Sequence, residues 1–215
     1  MQKVKGFTLV EISIVLVIVG LILGGVLKGQ ALIDSARVRS IVNDINGIRA
    51  AWYGFQDRFH ALPGDYKSAS SHIGATMKDG NGDGSIDTKQ EIASVWQHLA
   101  ATGFIAGDFD GDSAAVGALE DAECASTTCP QNPFYGFYKI TYTGKGEGVS
   151  GDSNEFYTGG KIPSSLLFEI DTKLDDGLPD QGLFRVHADS TANCTDTGHW
   201  KVDEPYRDCA AVFIE

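Results

Sequence analysis

An apolar run near the N-terminus constrains this chain more than any other feature. From Phe7 to Leu27, 21 residues carry a single ionisable side chain, Glu11. As a helix this run spans about 31 Å, the thickness of a bilayer's hydrocarbon core. Lys3 and Lys5 precede it, which marks that end as cytoplasmic and sends everything after Lys28 outward. Glu11 is out of place. A charged carboxylate one turn inside such a span costs roughly 2.5–3.5 kcal/mol on insertion scales, and less near the interface. It therefore calls for a partner. Cutting the chain after Gly6 frees an amine at Phe7, which supplies one. A plain secretory signal peptide, with Gly29-Gln30-Ala31 as its cleavage site, explains the lysines and the run but not Glu11. A simple signal anchor fails in the same way.

The string Gly6-Phe7-Thr8-Leu9-Val10-Glu11 resembles the prepilin cleavage and N-methylation motif of type IV pilins and of the pseudopilins of type II secretion. Leader charge, glycine, phenylalanine, glutamate and apolar run all fall in register. The resemblance implies that a prepilin peptidase in the membrane cuts after Gly6 and that the new N-terminal Phe7 is methylated. It also implies that Glu11 neutralises the amine of a neighbouring subunit during assembly. It covers about the first thirty residues; beyond them it is one of architecture. Many pilins have a proline just past the apolar run, where this chain has Lys28 preceded by Gly24-Gly25, which leaves open whether the helix melts there.

The helix is expected to continue past the membrane. Val38, Ile41, Ile45, Ile48, Trp52, Phe55 and Phe59 recur at three- and four-residue steps, with polar residues between them and no proline before Pro63. A continuous helix from Phe7 to Phe59 would be about 80 Å long, apolar all round in its first half and amphipathic in its second. Leu62-Pro63-Gly64-Asp65 ends it. A shorter amphipathic helix is predicted from Thr88 to Thr102 around Ile92, Val95, Trp96 and Leu99. Strand-like runs follow at Phe134–Thr143, Ser165–Ile170, Leu183–His187 and Ala210–Ile214. Helix first and strands after give an α+β class with an antiparallel sheet, which resembles the pilin fold. The expected organisation is a leader over 1–6, a transmembrane or filament-core helix over 7–27, its amphipathic continuation over 28–60, and a globular head over 61–215.

The 215 residues carry a net charge of −12, with the surplus acid in the C-terminal two-thirds. A body that negative is repelled by phosphate backbones, so nucleic-acid binding by the head as a whole is excluded. Four cysteines, Cys124, Cys129, Cys194 and Cys209, lie in the second half without the paired knuckles of a structural zinc site. Two disulfides in an oxidising compartment are the expected state. Of three possible connectivities, Cys124–Cys129 with Cys194–Cys209 is favoured because each pair closes a short loop.

Residues Asp79-Gly80-Asn81-Gly82-Asp83-Gly84-Ser85-Ile86-Asp87 resemble the first nine positions of an EF-hand calcium loop. Oxygens alternate at Asp79, Asn81, Asp83 and Asp87, the Ser85 carbonyl joins them, and Gly84 is the turn glycine. The closing glutamate belongs at position 90, where there is Gln90; Glu91 comes one residue late. A metal-free account is that Thr88 and Glu91 form a capping box for the next helix. Calcium is the expected cofactor. Asp108-Phe109-Asp110-Gly111-Asp112 and the group Asp171, Asp175, Asp176, Asp180 read first as turn chemistry and second as cation sites. No serine elbow, phosphate loop or dinucleotide fingerprint is present, and the five histidines are scattered. The expectation is a non-enzymatic subunit polymerising with identical or homologous subunits on an inner-membrane assembly platform. It is a single-pass inner-membrane protein as a precursor and part of an extracellular or periplasmic filament when assembled. Two rival readings remain: a pseudopilin, and a membrane-anchored calcium- or carbohydrate-binding module.

Overall fold

The computed structural model describes residues 8–117, 123–203 and 205–214. They fall into two units that divide between Val38 and Arg39. Helix α1, Leu9–Phe59, contributes to both. From Leu9 to Ile33 its large apolar side chains stand exposed, and the helix is continuous through Gly24 and Gly25.

The second unit is built on a four-stranded antiparallel sheet in the order β1 (Lys139–Thr143), β2 (Ser153–Tyr157), β6 (Ala211–Ile214), β3 (Phe184–Val186). Its register lines up Ile140, Phe156, Phe213 and Phe184 across all four strands, and all four are buried. Such a row of aliphatic and aromatic pairs on one face is what binds a short sheet together. The later part of α1 packs on this face. Ile41, Ile45, Trp52 and Phe55 are buried, and the Arg49 guanidinium lies 4.4 Å over the Phe213 ring. The Tyr138 hydroxyl donates to Asp44 Oδ2 at 2.9 Å, tying the helix to the chain that enters β1. The remaining elements are α2 (Ala69–His72), α3 (Lys89–Ala101), α4 (Ser164–Leu174), α5 (Thr191–Cys194), and a small hairpin of β4 (Thr195–Asp196) with β5 (His199–Trp200). Disulfides join Cys124 to Cys129 and Cys194 to Cys209.

Two expectations need correction, and one strand was not anticipated. Residues 165–170, read as a strand, belong to α4: Leu166, Leu167 and Ile170 are buried at helical spacing, and Pro163 stands at the N-cap. The strand expected over 134–143 begins only at Lys139. Before it, Tyr135 adopts a left-handed backbone (φ 65°), and Asn132 Oδ1 accepts from the Phe134 and Gly136 amides to hold a turn. Strand β2 escaped notice because Ser153-Asn154-Glu155 looks like loop. Glu155 is buried all the same and accepts from Thr143 Oγ1 and the Lys145 and Gly146 amides, closing the β1–β2 hairpin.

Helix α3 is buried beyond its apolar stripe, because its polar side chains anchor two glycine-rich loops. Gln97 accepts from the Lys78 amide and donates to the Asp110 carbonyl, while Gln90 donates to the Gly111 carbonyl. His98 Nδ1 accepts from the Gly64 amide at 2.9 Å and Nε2 donates to the Lys78 carbonyl at 2.7 Å. Both bonds suit a neutral ring, and burial holds the imidazole below its ordinary pKa against the pull of the Lys78 carbonyl and Asp79. Gly64, at φ 90°, allows this approach: a Cβ there would lie 2.6 Å from the Glu91 carbonyl oxygen.

Candidate functional site

The N-terminal segment of α1 presents an exposed apolar surface among the described residues. Leu9 is 83%, Leu16 66%, Leu21 73% and Leu27 68% exposed. A contiguous apolar surface of this kind demands a non-aqueous environment or another apolar surface, and the segment is long and apolar enough to cross a membrane. Gly6 and Phe7, the expected cleavage and methylation residues, lie outside the described residues. Glu11 lies within them. The Thr8 amide and hydroxyl both donate to Glu11 Oε2 at 2.7 Å, and the Glu11 amide donates to Thr8 Oγ1 at 3.2 Å. This is a reciprocal capping box, which turns the carboxylate back toward the helix N-terminus. Its signal in the sequence is Thr-x-x-Glu ahead of an apolar run.

In the loop over 79–87, Asp79, Asn81 and Asp83 turn side-chain oxygens toward the protein itself. Asp79 accepts from the Ser70 amide (2.7 Å) and hydroxyl (2.8 Å), Asn81 from the Asp83 amide, and Asp83 from the Ser85 amide. Those bonds to Ser70 hold the Asp79 carboxyl below its usual range. At the far end the capping box is formed: Thr88 accepts from Glu91, and Glu91 from Thr88. Glu91 is also bonded by the Asn81 and Asp87 amides. Ile86 packs inward, fully buried. The residue at the loop's centre is Asp65, from the segment that ends α1. It is 4% exposed, and its carboxylate accepts from the Gly82, Asp83 and Gly84 amides at 2.5, 3.3 and 2.8 Å. The loop is thus wrapped, amides inward, around a carboxylate of the protein. Asp65→Ala should destabilise the folded protein by about 2 kcal/mol, since three amides lose a charged acceptor but water reaches the exposed loop. Chemical denaturation checks this, and a change below about 0.5 kcal/mol would remove Asp65 from its organising role.

The other acidic groups separate. Asp110 accepts from the Asp112 amide and the Thr128 hydroxyl, and Asp112 caps a short helical turn at Ser113–Ala115, so both serve local turns. Asp171, Asp175 and Asp176 are brought together, with one carboxylate oxygen from each lying within 4.8 Å of the others. Asp171 is fully buried, and burial, reinforced by Asp176 and Asp175, pushes its carboxyl up to about 7 against the hydrogen bond from Trp200 and the pull of the nearby Gly177 amide.

Residues 1–27 match the model of the prokaryotic N-terminal methylation motif. The chain thus carries the signature of the type IV pilins and pseudopilins, on an α+β fold of pilin-like arrangement. No curated protein and no solved structure shows a significant match to the chain.

Proposed function

We infer that this chain is a structural subunit of a type IV pilus-like extracellular filament, polymerised through its N-terminal helix. The precursor sits in the inner membrane with its head outside. Prepilin peptidase cuts after Gly6, and the amine of Phe7 is methylated. Subunits then exchange lipid for one another along the exposed apolar surface of residues 9–27, with no net change in what that surface touches. Apolar burial alone leaves the axial register free; a carboxylate meeting a neighbour's amine fixes it, because each mismatch strands both charges in a dry environment. The observation that carries the reading is the register of glycine, phenylalanine and glutamate at 6, 7 and 11, ahead of a helical segment over 9–27 whose large apolar side chains stand exposed.

The test is mass spectrometry of the N-terminal peptide of the protein from its natural host. A methylated Phe7 at the start of the mature chain is expected. A chain beginning at Met1 or near Leu32 would exclude processing of this kind and favour a membrane-anchored binding module. Electron microscopy then divides the family. Long surface filaments containing this chain are expected, whereas a short periplasmic structure would make it a secretion pseudopilin.

A further inference from the structure

In the loop between α4 and β3, the last turn of the helix delivers Asp171 and the next residues deliver Asp175 and Asp176, so three carboxylates converge. Asp171 is fully buried; its Oδ2 accepts from Trp200 Nε1 at 2.8 Å, while Oδ1 has no hydrogen-bond partner. A buried carboxylate oxygen without a donor is costly and needs a proton or a cation. The neighbouring cationic side chains are engaged elsewhere. Lys173 Nζ lies 3.9 Å from Glu169, and Arg185 donates to the Gly182 and Glu147 carbonyls. The loop holds the other two carboxylates in place. Asp175 Oδ2 accepts from the Leu183 and Phe184 amides, and Asp176 Oδ1 from the Leu178 amide at 2.8 Å. Gly182, at φ 69°, lies so close that a Cβ there would meet the Asp175 carboxylate.

From this we propose that Asp171, Asp175 and Asp176 form a binding site for a hard divalent cation, with Asp171 Oδ1 as the buried ligand and exposed Asp176 as the entry side. An all-oxygen, multiply anionic set selects Ca2+ or Mg2+ over softer metals. Ca2+ is the better match, because it accepts many protein oxygens in irregular geometry, whereas Mg2+ holds on to its waters. The bound ion joins the last turn of α4 to the residues that follow it, and Asp175 carries that link on through its bonds from the Leu183 and Phe184 amides.

The test uses the full-length protein in detergent, stripped with EDTA and titrated with CaCl2 and, separately, MgCl2. Calorimetry should show saturable Ca2+ binding, and the melting temperature should rise with added Ca2+. Asp176→Asn should weaken binding about tenfold or more, and Asp171→Asn should abolish it. Asp83→Asn should leave it unchanged, since it alters only the loop at 79–87. If Asp171→Asn does not fold, Asp176→Asn, on the exposed side, decides alone. Absence of binding by wild type at millimolar Ca2+ would overturn the site. So would undiminished binding by Asp176→Asn, or loss of binding in Asp83→Asn alone.

Discussion

Filaments should fail to form from Glu11→Gln protein, although that protein reaches the membrane at normal levels. The capping box at the start of α1 makes this substitution informative. Glutamine replaces glutamate in such boxes and can still accept from the Thr8 amide and hydroxyl that now bond Glu11 Oε2. The helix start is therefore preserved and only the charge is lost. Glu11→Ala removes both, and the cap alone is worth about 1 kcal/mol. If the carboxylate acts only as a cap, Gln behaves as wild type and Ala is mildly impaired. If it serves as the counter-ion of a neighbour's Phe7 amine, both fail. The measurement is the yield of sheared filaments relative to membrane-fraction protein. Wild-type yield from Glu11→Gln would reduce Glu11 to a local cap.

The second large effect concerns the C-terminal disulfide. Removing it with Cys194→Ser and Cys209→Ser should destabilise the folded protein by about 3 kcal/mol, from the entropy of the unfolded loop it closes. Fifteen positions separate the two cysteines, against five for Cys124–Cys129, whose loss should therefore be the smaller. The position adds to the argument. Cys209 exchanges backbone hydrogen bonds with Ile162 on the approach to β6, the strand that lies between β2 and β3. Loosening that entry frays an interior strand instead of an edge. Denaturant unfolding of both double variants decides the order, and equal or inverted losses would contradict it.

How much of this was legible in the sequence depends on the range of the interaction involved. The N-terminal helix and α3 are visible because their evidence is local: apolar residues at helical spacing, a Thr-x-x-Glu cap, a glycine at the end. The Thr8–Glu11 box has the same signature and was masked by the more conspicuous fact that Glu11 sits among aliphatic residues. Helix α4 was misread because Ser-Ser-Leu-Leu-Phe-Glu-Ile is short enough to suit either period. What decides is which residues the sheet and the Trp200 hairpin cover. Asp65 could not be found in this way, since its partners lie 17 to 19 positions away. The same holds for Asp171. Its aspartate-rich neighbourhood is plain in the sequence, but its burial beneath Trp200, 29 positions on, is not.

The polar side of α3 has a consequence for the surface of the head. Gln90, Gln97 and His98 grip the covering loops through the Lys78 and Gly64 amides and the Lys78, Asp110 and Gly111 carbonyls, groups that nearly every amino acid carries. The outward side chains at Ala75, Thr76, Lys78 and Asp108 take no part in that grip and are exposed. Their chemistry is free to drift while the path of the backbone stays fixed, so what the head displays to its surroundings is set independently of how it holds its shape.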